Sequence, residues 1–225
     1  MDMQYYRHVR AEIAPLLPAN AKRIVDVGCG TGATLKWLRE RYPQAHTIAL
    51  EGNPDTKEEL RRNASESHII DLAGEIPDLG EPDLMLFLDV LEHLPDPAAV
   101  LRRLTSQLAQ NGIIIVSLPN VAHLSVSLPL LLRGEFTYRD AGILDRTHLR
   151  FFIQESSTGL LNDAGFVVDR ALIAGLGSKA RLLDLVTFGA LRNRLAKQYI
   201  MRGVRGDVQR GQQQTRWTLA NYNRT

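Results

Sequence analysis

The chain has 225 residues, of which 44% are hydrophobic and 23% are charged. These ordinary proportions exclude the collagen-like, low-complexity and wholly disordered classes. Cys29 is the single cysteine, which excludes an internal disulfide framework and a multi-cysteine zinc site. No apolar run reaches the roughly 18 residues of a membrane span, and the N-terminus lacks the apolar core of a signal peptide. The sequence therefore predicts a cytoplasmic protein.

The net charge of +2 hides an asymmetry along the chain. Residues 1–174 carry a net charge of −6, whereas residues 175–225 carry +8. A basic C-terminal region is able to contact anionic lipid, nucleic acid or a phosphorylated substrate, or simply to solvate a surface helix. Neither zinc-finger spacing nor an RNP-like aromatic stretch is present, so no specific nucleic-acid partner is expected. Peripheral membrane contact through the basic region stays open, as does the oligomeric state.

Short apolar strands alternate with helical segments, which predicts βαβ units and a parallel sheet. Most of the strands are continuously apolar, which favours helices on both faces of the sheet. Helices are predicted after Thr31, after Pro54-Asp55 and after Asp96-Pro97, where typical helix-start residues stand. The predicted strands are RIVDV (23–27), HTIALE (46–51), SHIID (67–71), DLMLFLD (83–89), GIIIVSL (112–118) and GFVVDRALI (165–173).

The alternation of strands and helices breaks after the fifth strand. Residues 119–150 form a long insertion with a short apolar helix and a polar loop, and loops of this length tend to be functional or disordered. The elements predicted beyond the insertion are a helix at about 154–164, an amphipathic helix at 179–195 and a final edge strand at 197–205. One domain is therefore expected over residues 1–205, followed by a polar, loosely held tail over residues 206–225.

The strongest motif is the segment DVGCGTG (26–32) between the first strand and the first helix. Its glycines let the backbone approach a ligand, and the helix N-terminus offers free N–H groups. Glu51 ends the second strand, where a carboxylate suits ribose hydroxyls. The spacing differs from the dinucleotide fingerprint G-x-G-x-x-G, and Asp26 would repel a pyrophosphate but suits a cationic sulfonium. A cationic nucleoside cofactor is thus favoured over NAD.

Four segments together resemble the class I S-adenosylmethionine-dependent methyltransferases: IVDVGCGTG (24–32), IALEGNP (48–54), DLMLFLDVLEHLPDP (83–97) and NGIIIVSLPN (111–120). The resemblance covers about residues 20–175. It implies an α/β, Rossmann-like, seven-stranded, mostly parallel sheet with helices on both faces and an antiparallel edge strand. It also implies S-adenosyl-L-methionine as cofactor and S-adenosyl-L-homocysteine as product. Residues 130–152 further resemble a bacterial subgroup linked to O-methylation of sugars or small metabolites.

The resemblance implies cofactor contacts for twelve residues. Asp26, Gly28 and Gly30 would hold the methionine moiety. The other implied contacts are Glu51, Gly52 and Asn53 at the ribose, Asp71 and Leu72 at the adenine, Asp89, Val90 and Leu91 at the sulfonium side, and Cys29 within the glycine segment. Simpler roles stay open: a loop residue for Asp71, a turn start for Asn53, core residues for Val90 and Leu91, and a packed thiol for Cys29.

Methyl transfer to a hydroxyl requires the loss of a proton, and a general base contributes about 10²–10⁴-fold to such a step. His148 is the first candidate base, because Asp145 lies three residues earlier and is able to orient the imidazole. His93, directly after the fourth strand, is the second candidate and His123 the third, with structural roles left open for each. No pair of histidines and carboxylates shows a recognised metal-ligand spacing, so metal-independent chemistry is predicted.

Acceptor contacts are expected from the N-terminal segment, where Tyr5, Tyr6 and Arg10 are predicted to begin a helix, and from the insertion. The candidates are Tyr5, Tyr6, His123, Tyr138, Arg139 and Arg146. Clustered arginines suit a phosphate or carboxylate on the acceptor. The sequence thus predicts O-methylation of a small molecule or a sugar hydroxyl with a histidine base. The alternatives are N-methylation of a small-molecule amine and a catalytically silent module that binds S-adenosylmethionine.

Overall fold

The computed structural model describes residues 8–206 and 215–220, so Tyr5 and Tyr6 lie outside the described residues. The described part of the chain forms one eight-stranded sheet. Its strands are β1 (Arg23–Val27), β2 (His46–Glu51), β3 (Glu66–Ile69), β4 (Leu84–Leu88), β5 (Ile113–Pro119), β6 (Phe166–Ala174), β7 (Gln198–Arg205) and β8 (Arg216–Leu219). The strand order is β3-β2-β1-β4-β5-β7-β6-β8.

Helices cover both faces of this sheet. The α-helices are α1 (Ala33–Arg41), α2 (Lys57–Asn63), α3 (Pro97–Thr105), α4 (Leu124–Arg133), α5 (Gln154–Asp163), α6 (Ser178–Val186) and α7 (Arg192–Leu195). Within the described residues, three 3-10 helices accompany them: Ala11–Leu16, Pro54–Thr56 and Leu91–His93. The start of α3 is as predicted, because the side chain of Asp96 accepts a hydrogen bond from the Ala99 N–H at 2.9 Å.

Alternate residues of the central strands pack into two separate cores. Val25 and Val27 of β1 lie with Leu104 of α3 on one face, whereas Ile24 lies with Leu35 of α1 on the other. Because successive side chains of a strand point to opposite faces, a continuously apolar strand needs helices on both sides. The predicted α/β architecture with helices on both faces is therefore confirmed.

Strand directions confirm a mostly parallel sheet but correct its basic C-terminal end. Strands β1 to β5 pair in parallel, and β7 runs antiparallel to β5 and β6. The strand predicted at the edge, residues 197–205, instead lies between β5 and β6. An eighth strand, β8, pairs in parallel with β6. The prediction of a loosely held tail is wrong for Arg216–Leu219, where Trp217 packs edge-on against the Tyr199 ring with centroids 5.4 Å apart.

Two further predictions differ from the structure. The amphipathic helix expected at 179–195 is divided into α6 and α7, because Phe188 and Gly189 adopt positive φ angles of 51° and 80° that a helix does not continue through. The third strand ends at Ile69, so Asp71 lies beyond it. Among the residues that the structure describes, no helix has the length and apolar character to cross a membrane.

Candidate active site

The parallel strands end at one edge of the sheet, where the glycine segment lies. Gly28, Gly30 and Gly32 adopt positive φ angles of 65°, 58° and 74°. A Cβ at Gly28 would lie 2.4 Å from Cγ2 of Val90, closer than any side chain tolerates. Both the backbone conformation and the close contact therefore require glycine at this position. The segment brings Gly28 and Val90 into contact, and their contacts with the cofactor stay predictions.

Glu51 joins the end of β2 to the glycine segment. Its side chain is 9% exposed. One carboxylate oxygen accepts a hydrogen bond from the Gly30 N–H at 2.8 Å, and the other accepts from the Gly52 and Asn53 N–H groups, each at 2.9 Å. The Asn53 side chain accepts from the Asp55 N–H at 3.0 Å, which is the turn-start role left open above. Four predicted cofactor residues thus lie in one hydrogen-bonded unit.

Asp26 is buried at the end of β1, and Cys29 is half-buried within the glycine segment. Burial raises the pKa of Asp26 from 3.8 to about 8, with Arg10 lowering it and Glu51 raising it in smaller measure. Burial, with the charges of Asp26 and Glu51, also raises the pKa of the Cys29 thiol. A thiol that stays protonated is a poor nucleophile, which favours a packed residue for Cys29.

The predicted adenine contacts have local roles in the structure. Asp71 is exposed, and its carboxylate accepts a hydrogen bond from the Ala73 N–H at 2.8 Å in an Asx turn. The Leu72 side chain packs against the core beside β1 and β4, and its carbonyl accepts a hydrogen bond from Arg103. The adenine contacts of Asp71 and Leu72 therefore stay predictions.

Asp89 is the centre of a polar network at the carboxyl end of β4. It has a positive φ of 58°, an unusual conformation for a residue with a side chain. Its carboxylate accepts hydrogen bonds from the Ser117 hydroxyl at 2.8 Å and from the Gln198 amide, and it forms an ion pair with Arg10. Burial alone would lower the pKa of Arg10. The carboxylates of Asp89 and Glu12 more than offset this effect and hold the pKa above its ordinary value.

Sequence reasoning placed Arg10 only near a predicted helix and missed Ser117 and Gln198. A signal existed for Ser117, since it is a polar residue within the otherwise apolar strand β5. Gln198 gave no such signal, because its contact with Asp89 joins positions 109 residues apart. Val90 and Leu91, which follow Asp89, pack in the hydrophobic core, and their contacts with the cofactor stay predictions.

Glu92, His93 and His148 lie together immediately after the Asp89 network. The His93 and His148 rings are edge to face with centroids 4.8 Å apart, and Nε2 of His148 lies 4.0 Å from Oε1 of Glu92. The insertion is fixed here because the Glu92 carbonyl accepts hydrogen bonds from the Leu149 and Arg150 N–H groups at 2.8 and 3.0 Å. The structure therefore unites two candidate bases with a glutamate that the sequence analysis missed.

Asp145 does not hydrogen-bond to the His148 imidazole, which corrects the predicted pairing. Its carboxylate accepts from the Thr147 hydroxyl at 2.6 Å and the Thr147 N–H at 2.8 Å. The His148 ring instead donates from Nδ1 to the Ile143 carbonyl at 3.0 Å. Against the effect of burial, the bonds from Thr147 and the charge of His148 lower the pKa of Asp145. Asp145 forms an Asx turn with Thr147, and this local turn takes the place of the Asp145–His148 hydrogen bond that the spacing predicted.

The candidate acceptor contacts that the structure describes lie in four places. His123 lines a cavity of about 810 Å³ that begins at Arg10 and Asp89 and extends to Arg181 and Lys197. Its ring nitrogen Nδ1 lies 2.8 Å from the Ser125 hydroxyl, and burial beside Lys197 lowers its pKa.

The other candidates belong to the insertion. Tyr138 packs with Phe136 and Phe151 in an aromatic cluster, and the centroid of Phe151 lies 6.4 Å from that of His148. Arg139 lines a smaller cavity of about 320 Å³ beside α4. Arg146 forms an exposed ion pair with Asp140 at 2.9 Å. Tyr138 is thus the insertion candidate whose cluster reaches the histidines.

Two curated relatives share part of the sequence. A trans-aconitate 2-methyltransferase of Methylobacterium nodulans is 33% identical over 156 residues, which cover 65% of this chain and 58% of the relative. A ubiquinone biosynthesis O-methyltransferase of Azorhizobium caulinodans is 31% identical over 131 residues, which cover 56% of this chain and 51% of the relative. The chain thus spans little more than half the length of these two relatives.

Solved structures share the fold at low sequence identity. A methyltransferase of Archaeoglobus fulgidus aligns with a TM-score of 0.61 at 17% identity, covering 91% of this chain and 95% of that one. An O-methyltransferase of Brevibacillus brevis in complex with S-adenosyl-L-homocysteine aligns with a TM-score of 0.55 at 14% identity, covering 91% and 72%. The family profile described as a methyltransferase domain matches residues 1–171. The chain belongs to the class I S-adenosylmethionine-dependent methyltransferases, and S-adenosylmethionine is its cofactor.

Proposed function

We propose that the chain methylates a hydroxyl oxygen of a small molecule that also carries an anionic group. The observation that carries this proposal is the cluster of Glu92, His93 and His148. It follows Asp89 directly, on the side of the sheet edge where the resemblance puts the sulfonium. A hydroxyl must lose its proton as it is methylated, and imidazole and carboxylate groups are the usual means of removing it.

The cofactor, when bound, supplies an electrophilic methyl group, and the chain supplies position and charge. The positive φ of Gly28 and the close approach of its backbone to Val90 shape the segment where the resemblance puts the methionine moiety. The buried Asp26 carboxylate suits the positive charge of the methionine moiety, and Glu51 suits the ribose. The Arg10 ion pair holds Asp89, and therefore the turn that leads to Glu92, in one conformation.

Of the two clustered histidines, His93 is the better placed to meet an acceptor directly. His148 is only 8% exposed, and its Nε2 faces Glu92. His93 is half-buried and donates from Nδ1 to the Thr147 carbonyl at 3.2 Å, which leaves Nε2 with a lone pair. Burial and the neighbouring His148 lower the pKa of His93, so its ring is neutral near pH 7. General-base action by His148 itself stays a prediction.

Positive charge along the large cavity supports an anionic acceptor. Arg181 and Lys197 line the cavity of about 810 Å³ together with Asp89 and Arg10. Guanidinium and ammonium groups are suited to carboxylate and phosphate recognition. The names of the two relatives point the same way, because trans-aconitate is a carboxylic acid and the second name specifies O-methylation. A cytoplasmic location stays a prediction.

A screen with S-adenosylmethionine carrying a deuterated methyl group tests this proposal. Hydroxy acids, sugars, sugar phosphates, phenols and matched amines are incubated with the protein, and the methylated atom is identified by NMR. We expect the label on oxygen, with turnover lowered about 10²-fold in His93→Ala but not in the surface variant His68→Ala. Label on nitrogen would overturn the proposal, and cofactor binding without turnover of any class would favour a silent module.

A further inference from the structure

We propose that Glu92, His93 and His148 bind a divalent first-row transition-metal ion. One ring nitrogen of each histidine and one carboxylate oxygen of Glu92 all lie within 4.8 Å of one another. The ligands come from the 3-10 helix Leu91–His93 and from the distant insertion. Because they are far apart in the sequence, no metal-binding motif of fixed spacing predicts them. An ion with ligand bonds of about 2.1 Å would draw these side chains slightly closer together.

Glu92 supplies an independent observation that points to a cation. The residue is 1% exposed, and its Oε2 atom has no hydrogen-bond partner within residues 8–206 and 215–220. A buried carboxylate oxygen without a hydrogen-bond partner destabilises the folded state, and native structures rarely contain one. The nearby guanidinium of Arg10 does not supply the partner, because it bonds to Asp89 and Glu12. A metal ion would satisfy the Glu92 carboxylate.

Both imidazoles are held as metal-binding histidines usually are. His148 donates from Nδ1 to the Ile143 carbonyl at 3.0 Å, and His93 donates from Nδ1 to the Thr147 carbonyl at 3.2 Å. A carbonyl oxygen only accepts, so each Nδ1 carries the proton and each Nε2 keeps its lone pair. Backbone carbonyls that fix the tautomer in this way are typical partners of metal-ligating histidines.

The ligand set selects the class of ion and leaves room for an acceptor. Two imidazoles and one carboxylate suit Mn²⁺, Fe²⁺, Co²⁺ or Zn²⁺, whereas Mg²⁺ and Ca²⁺ prefer oxygen ligands throughout. Three protein ligands leave at least one coordination position for water or substrate oxygen. Phe151, which packs edge to face against Phe136, borders His148 with ring centroids 6.4 Å apart.

The catalytic use of the ion rests on the proposed O-methylation, whereas the binding of the ion does not. An acceptor hydroxyl bound to the ion would lose its proton to solvent at a lower pH than a free hydroxyl. The resulting oxygen anion forms the new C–O bond as the C–S bond of the cofactor breaks. The electron pair of that bond stays on sulfur. In this form of the enzyme the histidines act as ligands, and the ion replaces His93 as the activating group.

Titration with Co²⁺ tests the binding site directly. The metal-free protein is titrated with Co²⁺ while the visible absorption and, by calorimetry, the heat of binding are recorded. We expect one strong site per chain, with affinity lowered at least about tenfold in Glu92→Gln and in His148→Ala. The matched control is His68→Ala, which alters the surface group in which His46 and His68 contact Glu66 at 3.0 and 2.6 Å.

The Glu92→Gln variant separates metal binding from folding. Without metal it should unfold at the wild-type temperature or above, because it removes a buried carboxylate whose Oε2 has no partner among the described residues. With Co²⁺ it should lose the rise in unfolding temperature that wild type shows. Equal Co²⁺ affinity in wild type, Glu92→Gln and His148→Ala would overturn the site. Strong binding with label found on nitrogen would retain the site and reject the proposed O-methylation.

Discussion

Two regions of this molecule are built by different means. The cofactor side is the glycine segment (26–32) with the end of β2, where the resemblance implies cofactor contacts. The acceptor side is the histidine cluster with the insertion (119–150) and the large cavity, where acceptor contacts are proposed. On the cofactor side, backbone N–H groups of Gly30 and Gly52 meet the carboxylate that ends β2, at most 21 residues away. On the acceptor side, side chains converge from far apart, as when His93 contacts Thr147 across 54 residues. The glycine segment is thus held by local backbone contacts, whereas the histidine cluster depends on long-range packing of the insertion.

The sharpest test of the cofactor side is Gly28→Ala. We expect the affinity for S-adenosylmethionine to fall at least about 10²-fold, because the new methyl group would lie 2.4 Å from Cγ2 of Val90. The matched control is Gly134→Ala, which has nearly the same φ angle, 66° against 65°, but meets nothing within 4 Å. It should lower the free energy of unfolding by about 1 kcal/mol and leave the affinity unchanged.

Calorimetric titration of both variants gives the comparison. Equal affinities in Gly28→Ala and Gly134→Ala would show that close approach of the backbone at Gly28 does not govern cofactor binding. The role of the glycine segment would then have to be reassigned. A folded Gly28→Ala protein, established by its unfolding temperature, is required for either conclusion.

The second test concerns the ion pair that joins the two sides. Arg10→Gln should lower the free energy of unfolding by about 2 kcal/mol, because the Asp89 carboxylate loses its charged partner in a site that is largely buried. Arg146→Gln is the control, since it breaks an exposed arginine–aspartate pair and should cost less than about 0.5 kcal/mol. Urea denaturation of both variants measures the difference. Similar losses of unfolding free energy in the two variants would show that the ion pair between Arg10 and Asp89 does not stabilise the fold.

The same difference explains why the sequence predicts the glycine segment and its strands better than the contacts of the histidine cluster. β1 and β2 have the bounds that their apolar runs predict, and Glu51 is the last residue of β2, as predicted. By contrast, the partners of Asp89 and His148 are fixed by tertiary contacts that no local pattern encodes. The aspartate three residues before His148 bonds to Thr147 instead, because a short turn competes with the longer-range pairing.

The position of β7 was missed for the same reason. Its sequence predicts a strand, but only pairing with both β5 and β6 decides that it is internal. β8 was missed because Arg216–Leu219 stands in a polar segment with a single aromatic anchor, Trp217, whose partner Tyr199 lies on another strand. Strand pairing between distant segments depends on side chains that a local window does not contain.

The third test uses pH to probe Asp26. The unfolded carboxyl is ionised above about pH 4, whereas the folded carboxyl, with its pKa raised to about 8, keeps its proton. Folding therefore takes up a proton between these values, and the free energy of unfolding should fall as pH rises from about 4 to 8. A cationic cofactor prefers the ionised carboxylate, so its affinity should rise up to about tenfold per pH unit toward pH 8.

Asp26→Asn separates these two opposite trends. Its free energy of unfolding should vary less with pH than that of wild type. Its affinity for the cofactor should no longer rise as the pH approaches 8. The control variant Asp163→Asn, which alters an exposed carboxyl on α5, should follow wild type in both measurements. Parallel pH profiles for Asp26→Asn and wild type would show that the buried carboxyl does not contact the cationic part of the cofactor.

The smallest expected effect concerns the outer surface of the acceptor side. In α6 and the turn after it, Leu185 is 73% exposed and Phe188 is 98% exposed, close to the basic residues Lys179 and Arg181. An exposed apolar face beside positive charge suits the interface of an anionic bilayer. We therefore expect the protein to bind vesicles of phosphatidylglycerol more tightly than vesicles of phosphatidylcholine, in line with the membrane contact that the charge asymmetry left open.

The double variant Leu185→Ser/Phe188→Ser should reduce binding to phosphatidylglycerol vesicles several-fold in a flotation assay. The free energy of unfolding should change by less than about 0.5 kcal/mol, because neither side chain is packed in the core. Methylation of a water-soluble acceptor should also be unaffected, since neither Leu185 nor Phe188 lines the cavity that contains Arg181 and Lys197. Unchanged vesicle binding would assign the apolar face of α6 to a partner other than lipid and leave the basic residues to the acceptor's anionic group.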